Sequence, residues 1–303
     1  MTTSGTIRTG IGGWIFEPWR GTFYPKGLSK TKELEYAGQH LSTIEINSTY
    51  YGTQKPETFA KWASSVPNGF IFSVKGNRFV TNRRVLAEAG ESMERFIKSG
   101  IAELADRLGP LLWQFAPTKK FDAEDFGAFL DLLPEKEGGI PLRHTVEVRH
   151  PSFIDPDFIA LLRKKNVAVV YAHHFDYPEI ADVTADFVYA RLQKGDDAVE
   201  TAYPAKELDQ WAERAKLWAR GDEPDDLPLA APASKPEKKP RDVFVYFIHE
   251  GKVRAPQAAQ ALKDRLPRKP IDASQLAALT DKMYKQDESA DQFTRKMRDE
   301  DRY

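Results

Sequence analysis

Short runs of β-branched, aliphatic and aromatic residues recur along the chain. Between most of them, apolar positions return at three-to-four spacing. The runs cover residues 7–14, 43–51, 70–77, 109–116, 144–150, 167–174, 186–193 and 242–250, and their Val, Ile, Phe and Tyr content predicts eight strands. The stretch 56–66 opens with Pro56, suited to a first helical turn, and sets Phe59, Trp62 and Val66 on one stripe. Residues 91–108 place Met93, Phe96, Ile97, Ile101, Leu104 and Leu108 on another. Asp122 is positioned to cap a helix over 122–133. Helices are also predicted over 155–165, 205–219 and 255–266, whereas the link between the sixth and seventh strands is too short for a full helix. Strand–helix alternation eight times over predicts a single-domain α/β chain, a (β/α)8 TIM barrel, in preference to a doubly wound open sheet.

The pattern sets the barrel at residues 5–266. Residues 219–241 are rich in proline and charge and poor in aromatics, which predicts a flexible insertion forming a long loop before the last strand. Residues 267–303 read as a charged, moderately helical C-terminal extension.

Active sites of such barrels lie at the C-terminal ends of the strands, and side chains alternate faces along a strand. With Ile44 and Ile46 turned toward the helices, Glu45 and Asn47 point into the barrel. With Val146 and Val148 outward, Glu147 and Arg149 point inward. Ser73, Lys75 and Asn77 share a face, Gln114 points inward between Trp113 and Phe115, and Arg191 and Gln193 share a face with Tyr189. Barrel interiors are usually filled by branched apolar side chains, and buried charges need partners. An internal network, such as Glu147 with Arg191 and Glu45 with Lys75, is the bland account of this set. One Lys and two Arg against two Glu favour an anionic ligand, a phosphate or a carboxylate.

Lys75, Arg78, Arg83 and Arg84 fall within ten residues near the predicted mouth, either as a solvated basic loop or as an anion clamp. Trp14, Phe16, Trp19, Phe23, Tyr24, Tyr50 and Tyr51 crowd the same end; some must pack, and others could stack on a base or sugar ring. His150, His173, His174 and His249 lie at strand ends, where a divalent metal could bind; no HxH or HExxH spacing supports one, and hydrogen-bonded rim histidines are the simpler account. No P-loop or serine nucleophile elbow occurs. No lysine ends the sixth strand, so a Schiff-base reading would rest on Lys75 alone.

Composition trims the choices. Lys plus Arg is 44 and Asp plus Glu is 45, a formal charge of -1, which excludes a protein held to nucleic acid by net charge alone. There is no cysteine, hence no disulfide, thiolate metal site or cysteine nucleophile. No apolar run is long enough for a signal peptide or a membrane span, and a soluble cytoplasmic protein is expected. Oligomeric state is not legible.

The chain also resembles a known family. GGWIFEPWRGTFYPKGL at 12–28, EINSTYYG at 45–52, FSVKGNR at 72–78, LGPLLWQF at 108–115, EVRHPSF at 147–153 and TADFVYARL at 184–192 are similar, in order, to the YecE-like family, domain of unknown function seventy-two. The resemblance spans roughly residues 5 to 265. It implies a (β/α)8 barrel with a pocket lined by Glu45, Asn47, Lys75, Gln114, Glu147, Arg149 and His150. It implies no reaction, and a likeness of that pocket to metal-dependent endonuclease barrels is analogy at the level of fold. The chain departs from the family at the last strand, where Ile248, His249 and Glu250 stand in place of an Asn-Asn-Asp type run.

The function expected is therefore an enzyme, hydrolase- or isomerase-like, acting on a phosphorylated sugar- or nucleotide-like ligand. Glu45, Lys75 and Glu147 are the expected catalytic groups, either glutamate serving as general base. Trp14, Asn47, Tyr50, Asn77, Arg78, Gln114, Arg149, His150, Arg191 and His249 are the expected substrate contacts. The rivals are a protein binding single-stranded or damaged nucleic acid, and a metal-dependent endonuclease-like phosphodiesterase.

Overall fold

The computed structural model describes residues 4–267. Eight parallel strands close a barrel in chain order: β1 Ile7–Gly12, β2 Thr43–Ile46, β3 Ile71–Lys75, β4 Leu108–Gln114, β5 His144–Glu147, β6 Ala168–His173, β7 Phe187–Lys194 and β8 Asp242–Glu250. β8 returns to β1 with Tyr246 opposite Gly10, and on the other side Gly10 faces Thr43 of β2. A Cβ on Gly10 would lie 1.9 Å from the Thr43 carbonyl oxygen, so only glycine lets these strands approach here.

Helices α1 Glu33–His40, α2 Pro56–Ser64, α3 Arg78–Thr81, α4 Gly90–Ile97, α5 Ala123–Asp131, α6 Pro156–Lys164, α7 Ala205–Arg220 and α8 Ala255–Asp264 lie outside the barrel. The Asp122 side chain caps α5 by accepting the Glu124 and Asp125 N–H groups at 3.1 and 3.0 Å. The single helix expected over 91–108 is broken. Gly100 turns left-handed at φ 107°, with its Cβ position 2.7 Å from Pro56 Cα, and the chain resumes as a 3-10 segment, Ile101–Arg107. The close pass over the start of α2 overrides a continuous stripe.

Side-chain alternation divides the apolar residues into two cores. Ile44, Ile46, Trp113, Phe115, Val146 and Val148 face the helices. Leu112, Val170, Phe187, Tyr189, Phe244 and Tyr246 fill the barrel itself. Tyr189 and Tyr246 stack at 4.8 Å, and Phe187 meets Phe244 at 6.2 Å, so the barrel is plugged below its upper rim.

The stretch 219–241, expected as a flexible insertion, makes specific contacts with the barrel. α7 runs on to Arg220, and the loop after it is stapled down. Asp182 accepts the N–H groups of Ala230 and Ala231 at 2.7 and 3.0 Å, and the Ala181 N–H donates to the Pro228 carbonyl at 2.9 Å. Arg241 is buried and donates to the carbonyls of Ala185, Gly221, Lys239 and Glu237. This loop packs over the extended link between β6 and β7, where no helix forms. The extension expected over 267–303 lies, from residue 268 on, outside the described residues. Among the described residues, no helix is long and apolar enough to cross a membrane.

Candidate functional site

The floor of the upper barrel is organised by one guanidinium. Arg191 on β7 donates through Nε and Nη2 to the two carboxylate oxygens of Glu45 on β2, at 3.1 and 3.0 Å, and through Nη1 to Glu147 on β5. Tyr189, two residues earlier on the same face, donates its hydroxyl to Glu45 at 2.7 Å. Glu147 also accepts from Gln114 Nε2 at 2.9 Å and Arg149 Nε at 2.8 Å. Both carboxylates are 0 % exposed and Arg191 is 5 % exposed. Period-two alternation puts all of these groups inside, and the parallel register brings β2, β5 and β7 to one level.

Burial alone would push the Glu147 carboxyl up, but Arg191, then Arg149 and Lys75, outweigh it and hold it at about 2. The two glutamates raise the Arg191 guanidinium against its own desolvation, so it stays charged. Lys75 ends β3 beside this network, half-buried, with its ammonium 4.5 Å from the centre of the Tyr50 ring. Its carbonyl accepts from the Thr49 hydroxyl at 2.7 Å, but among the described residues its ammonium forms no hydrogen bond or salt bridge. Burial, followed by the charge of Arg191, lowers it to about 8, more than Glu45 and Glu147 raise it. Two carboxylates thus face Lys75, Arg149 and Arg191, and one positive charge is left over.

Above this floor lies a cleft of about 860 Å³. Lys75, Arg149 and Arg191 reach it from below, and Asn47, Gln114 and Gln193 add amides. Trp14 forms one wall, meeting Trp62 of α2 edge to face at 5.2 Å. His249 also lines the cleft, from β8 next to β1, and is a non-glycine residue at φ 71° where the β8 register slips between Phe247 and Glu250. Left-handed backbone at such a residue costs roughly 1 kcal/mol and is held here at the edge of the cleft. The His249 ring is 5.2 Å from that of His174, which burial and then His249 hold below the ordinary imidazole range.

Of the expected residues, Trp14, Asn47, Lys75, Gln114, Arg149, Arg191 and His249 come together around the cleft. Glu45 and Glu147, the expected general bases, are both sealed from solvent and bound to Arg191. Four expected contacts do not line the cleft. Tyr50 lies under Lys75. Asn77 caps α3, accepting the Phe79 N–H at 3.0 Å and donating to the Thr49 carbonyl at 3.2 Å. His150 caps the turn that follows it, its Nδ1 3.1 Å from the Ser152 nitrogen. Arg78 faces outward over Tyr51 and Phe79, at 5.8 and 5.5 Å. Among the described residues, no three His, Asp or Glu side chains are grouped to hold a metal, and His173 packs outside the barrel against Trp211 at 5.0 Å.

Sequence reasoning missed Tyr189 as the partner of Glu45, along with Trp62 and Lys252 on the cleft walls. Tyr189 carried a signal, being two residues before Arg191. Trp62 carried none, because its helical stripe reads as core. The exposed large apolar side chains among the described residues all lie in the segments that leave the C-terminal ends of strands: Ile15, Tyr51, Phe79, Val85, Ile154 and Phe175.

The sequence model of the family described as "Protein of unknown function DUF72" matches residues 8–281. Among curated proteins, the chain is similar to UPF0759 protein YecE of Escherichia coli K12, 30% identical over 129 residues, which is 42% of this chain and 44% of YecE. It is similar to UPF0759 protein YunF of Bacillus subtilis 168, 25% identical over 157 residues, 50% of this chain and 54% of YunF. The matches thus span about half the length of these relatives. Among solved structures, it is similar to a DUF72 family protein from Enterococcus faecalis V583, at TM-score 0.63, 19% identity and coverage of 88% and 100% of the two chains. A DUF72 family protein from Thermotoga maritima MSB8 follows at TM-score 0.61, 22% identity and coverage of 85% and 97%. At such identities the likeness speaks for the fold.

Proposed function

This chain belongs to the DUF72 family, and from that premise we propose that it is an enzyme whose cleft binds a phosphorylated sugar- or nucleotide-like ligand and turns it over by hydrolase- or isomerase-like proton transfer. The observation that carries the reading is the positive charge left over on a floor whose carboxylates are already committed to Arg191. Arg149 and the exposed edge of Arg191 take the phosphate, as planar guanidinium groups do best. Asn47, Gln114 and Gln193 orient ligand hydroxyls or amides, and Trp14 offers a face to a sugar or base. Lys75 replaces the glutamates as the proton-transferring group: with a pKa near 8 it can give a proton to a leaving oxygen or, once neutral, take one. Glu45, Glu147 and Tyr189 keep Arg191 in place.

Calorimetric titration with inorganic phosphate, ribose 5-phosphate and AMP, beside ribose and adenosine, tests the reading. The phosphorylated compounds should bind more tightly, and Arg149→Gln should weaken them by about tenfold or more, the worth of a charge-assisted hydrogen bond. Equal affinity with and without phosphate overturns it.

A second reading, binding of single-stranded nucleic acid, is favoured by the rim. Tyr51 and Phe79 are 69 % and 61 % exposed with the Arg78 guanidinium over both rings, and Arg83 and Arg84 lie alongside. Stacking beside arginine suits unpaired bases. Such binding should weaken steeply as salt rises and fall further in a triple Ala variant of Arg78, Arg83 and Arg84. Salt-independent or absent binding of oligonucleotides ends it.

A further inference from the structure

The geometry points to a covalent step at this same cleft: Lys75 is the nucleophile that forms an imine with the carbonyl carbon of a phosphorylated aldehyde or ketone. The inference rests on the reading above for its phosphate and adds the substrate class. Three observations carry it. Lys75 ends a barrel strand, its Nζ reaches the cleft, and among the described residues no oxygen holds it. The two nearby carboxylates are fixed to Arg191 and sealed from solvent, so neither pairs with the Lys75 amine nor competes with it for an electrophile in the cleft. Arg149 and Arg191 enter the same cleft, so a phosphate held there keeps the rest of a small ligand within reach of Nζ.

The environment also supplies the reactive form. With its pKa lowered to about 8, Lys75 would be neutral in about a quarter of molecules at pH 7.5, against roughly a thousandth for an ordinary lysine. The step balances without any oxidant or reductant. The neutral amine attacks the carbonyl carbon to give a carbinolamine. The former carbonyl oxygen then leaves as water, taking one proton from the amine nitrogen and one from solvent, and a protonated imine remains. Its positive charge takes the place of the Lys75 ammonium, so the charge balance with Glu45 and Glu147 is unchanged. The face of Tyr50 accommodates the cationic imine as it does the ammonium.

Pyridoxal 5′-phosphate, an aldehyde that carries a phosphate, is a suitable probe. The full chain is incubated with it, reduced with borohydride, and mapped by peptide mass spectrometry. Lys75 should be labelled roughly tenfold or more faster than any surface lysine, following its larger neutral fraction. Excess inorganic phosphate should protect it. Lys75→Arg should lose the adduct while keeping the wild-type circular dichroism spectrum. Should that variant fail to fold, Arg149→Gln serves instead: it should slow labelling of Lys75 by pyridoxal 5′-phosphate severalfold more than labelling by phosphate-free pyridoxal. Adducts spread evenly over surface lysines overturn the inference. Phosphate binding in the calorimeter without an adduct on Lys75 overturns the imine and leaves the anion-binding enzyme standing. Neither phosphate binding nor an adduct overturns both.

Discussion

At the N-terminal end of the barrel, Asp242 receives Arg143 at 3.0 Å and Arg8 at 3.6 Å, and Arg241 is taken up by four carbonyls. At the C-terminal end, Glu45 and Glu147 tie down Arg191, while Lys75 stands on an aromatic ring with no anion of its own. The large exposed apolar side chains gather around that same end. The two ends use the same residue types. They differ in that Arg8, Arg143 and Arg241 each have an oxygen partner whereas, among the described residues, the Lys75 ammonium has none, and a buried charge without a partner destabilises a fold unless a ligand completes it.

Substitutions can break or sharpen that contrast. The largest effect is expected for Arg191→Met, which strands two buried carboxylates: chemical denaturation should show a loss of at least about 3–5 kcal/mol. A near-neutral outcome would mean the network holds nothing together. Acid should act in the same direction. Glu147 has a folded-state pKa of about 2 against an ordinary 4.5, so its contribution is complete above pH 4.5 and is lost as pH falls through that window toward 2. Denaturation midpoints across this range should flatten in Glu147→Gln relative to wild type.

Lys75→Met should move stability the other way, upward by about 1–3 kcal/mol at pH 7. The folded-state pKa lies below the unfolded one, so the ammonium is a burden below about pH 8, and that burden fades as pH rises from 8 to 10.5. The gap between variant and wild type should close over that interval, while affinity for inorganic phosphate should drop in the variant at neutral pH. A destabilised Lys75→Met would show that its charge is matched after all. At the opposite end, Asp242→Asn should cost about 1–2 kcal/mol and leave phosphate affinity untouched; a shared loss of affinity would erase the distinction between the ends. The smallest effect is expected for Phe79→Ala at the rim, within about 0.5 kcal/mol by thermal denaturation.

Much of this frame was legible in the chain. The alternation of Ile44 and Ile46 with Glu45, and of Val146 and Val148 with Glu147, fixes which side of each strand turns inward. That is local information, carried by a period of two. Pairing is not local. Arg191 reaches Glu45 across 146 residues, and no spacing along the sequence distinguishes it from Lys75 as the partner. The caps at Asn77 and His150 are open to reading, since each precedes a short helical turn, but a polar residue at a strand end looks the same whether it caps a turn or meets a ligand. The turn at Gly100 and the anchoring of the 221–241 loop by Asp182 depend on what the folded chain brings near, Pro56 in one case and Ala230 in the other.

The stacked tyrosines and phenylalanines within the barrel have a consequence for traffic. They stop the central axis like a cork, so the hollow has one door. Anything held there would leave by the opening through which it entered.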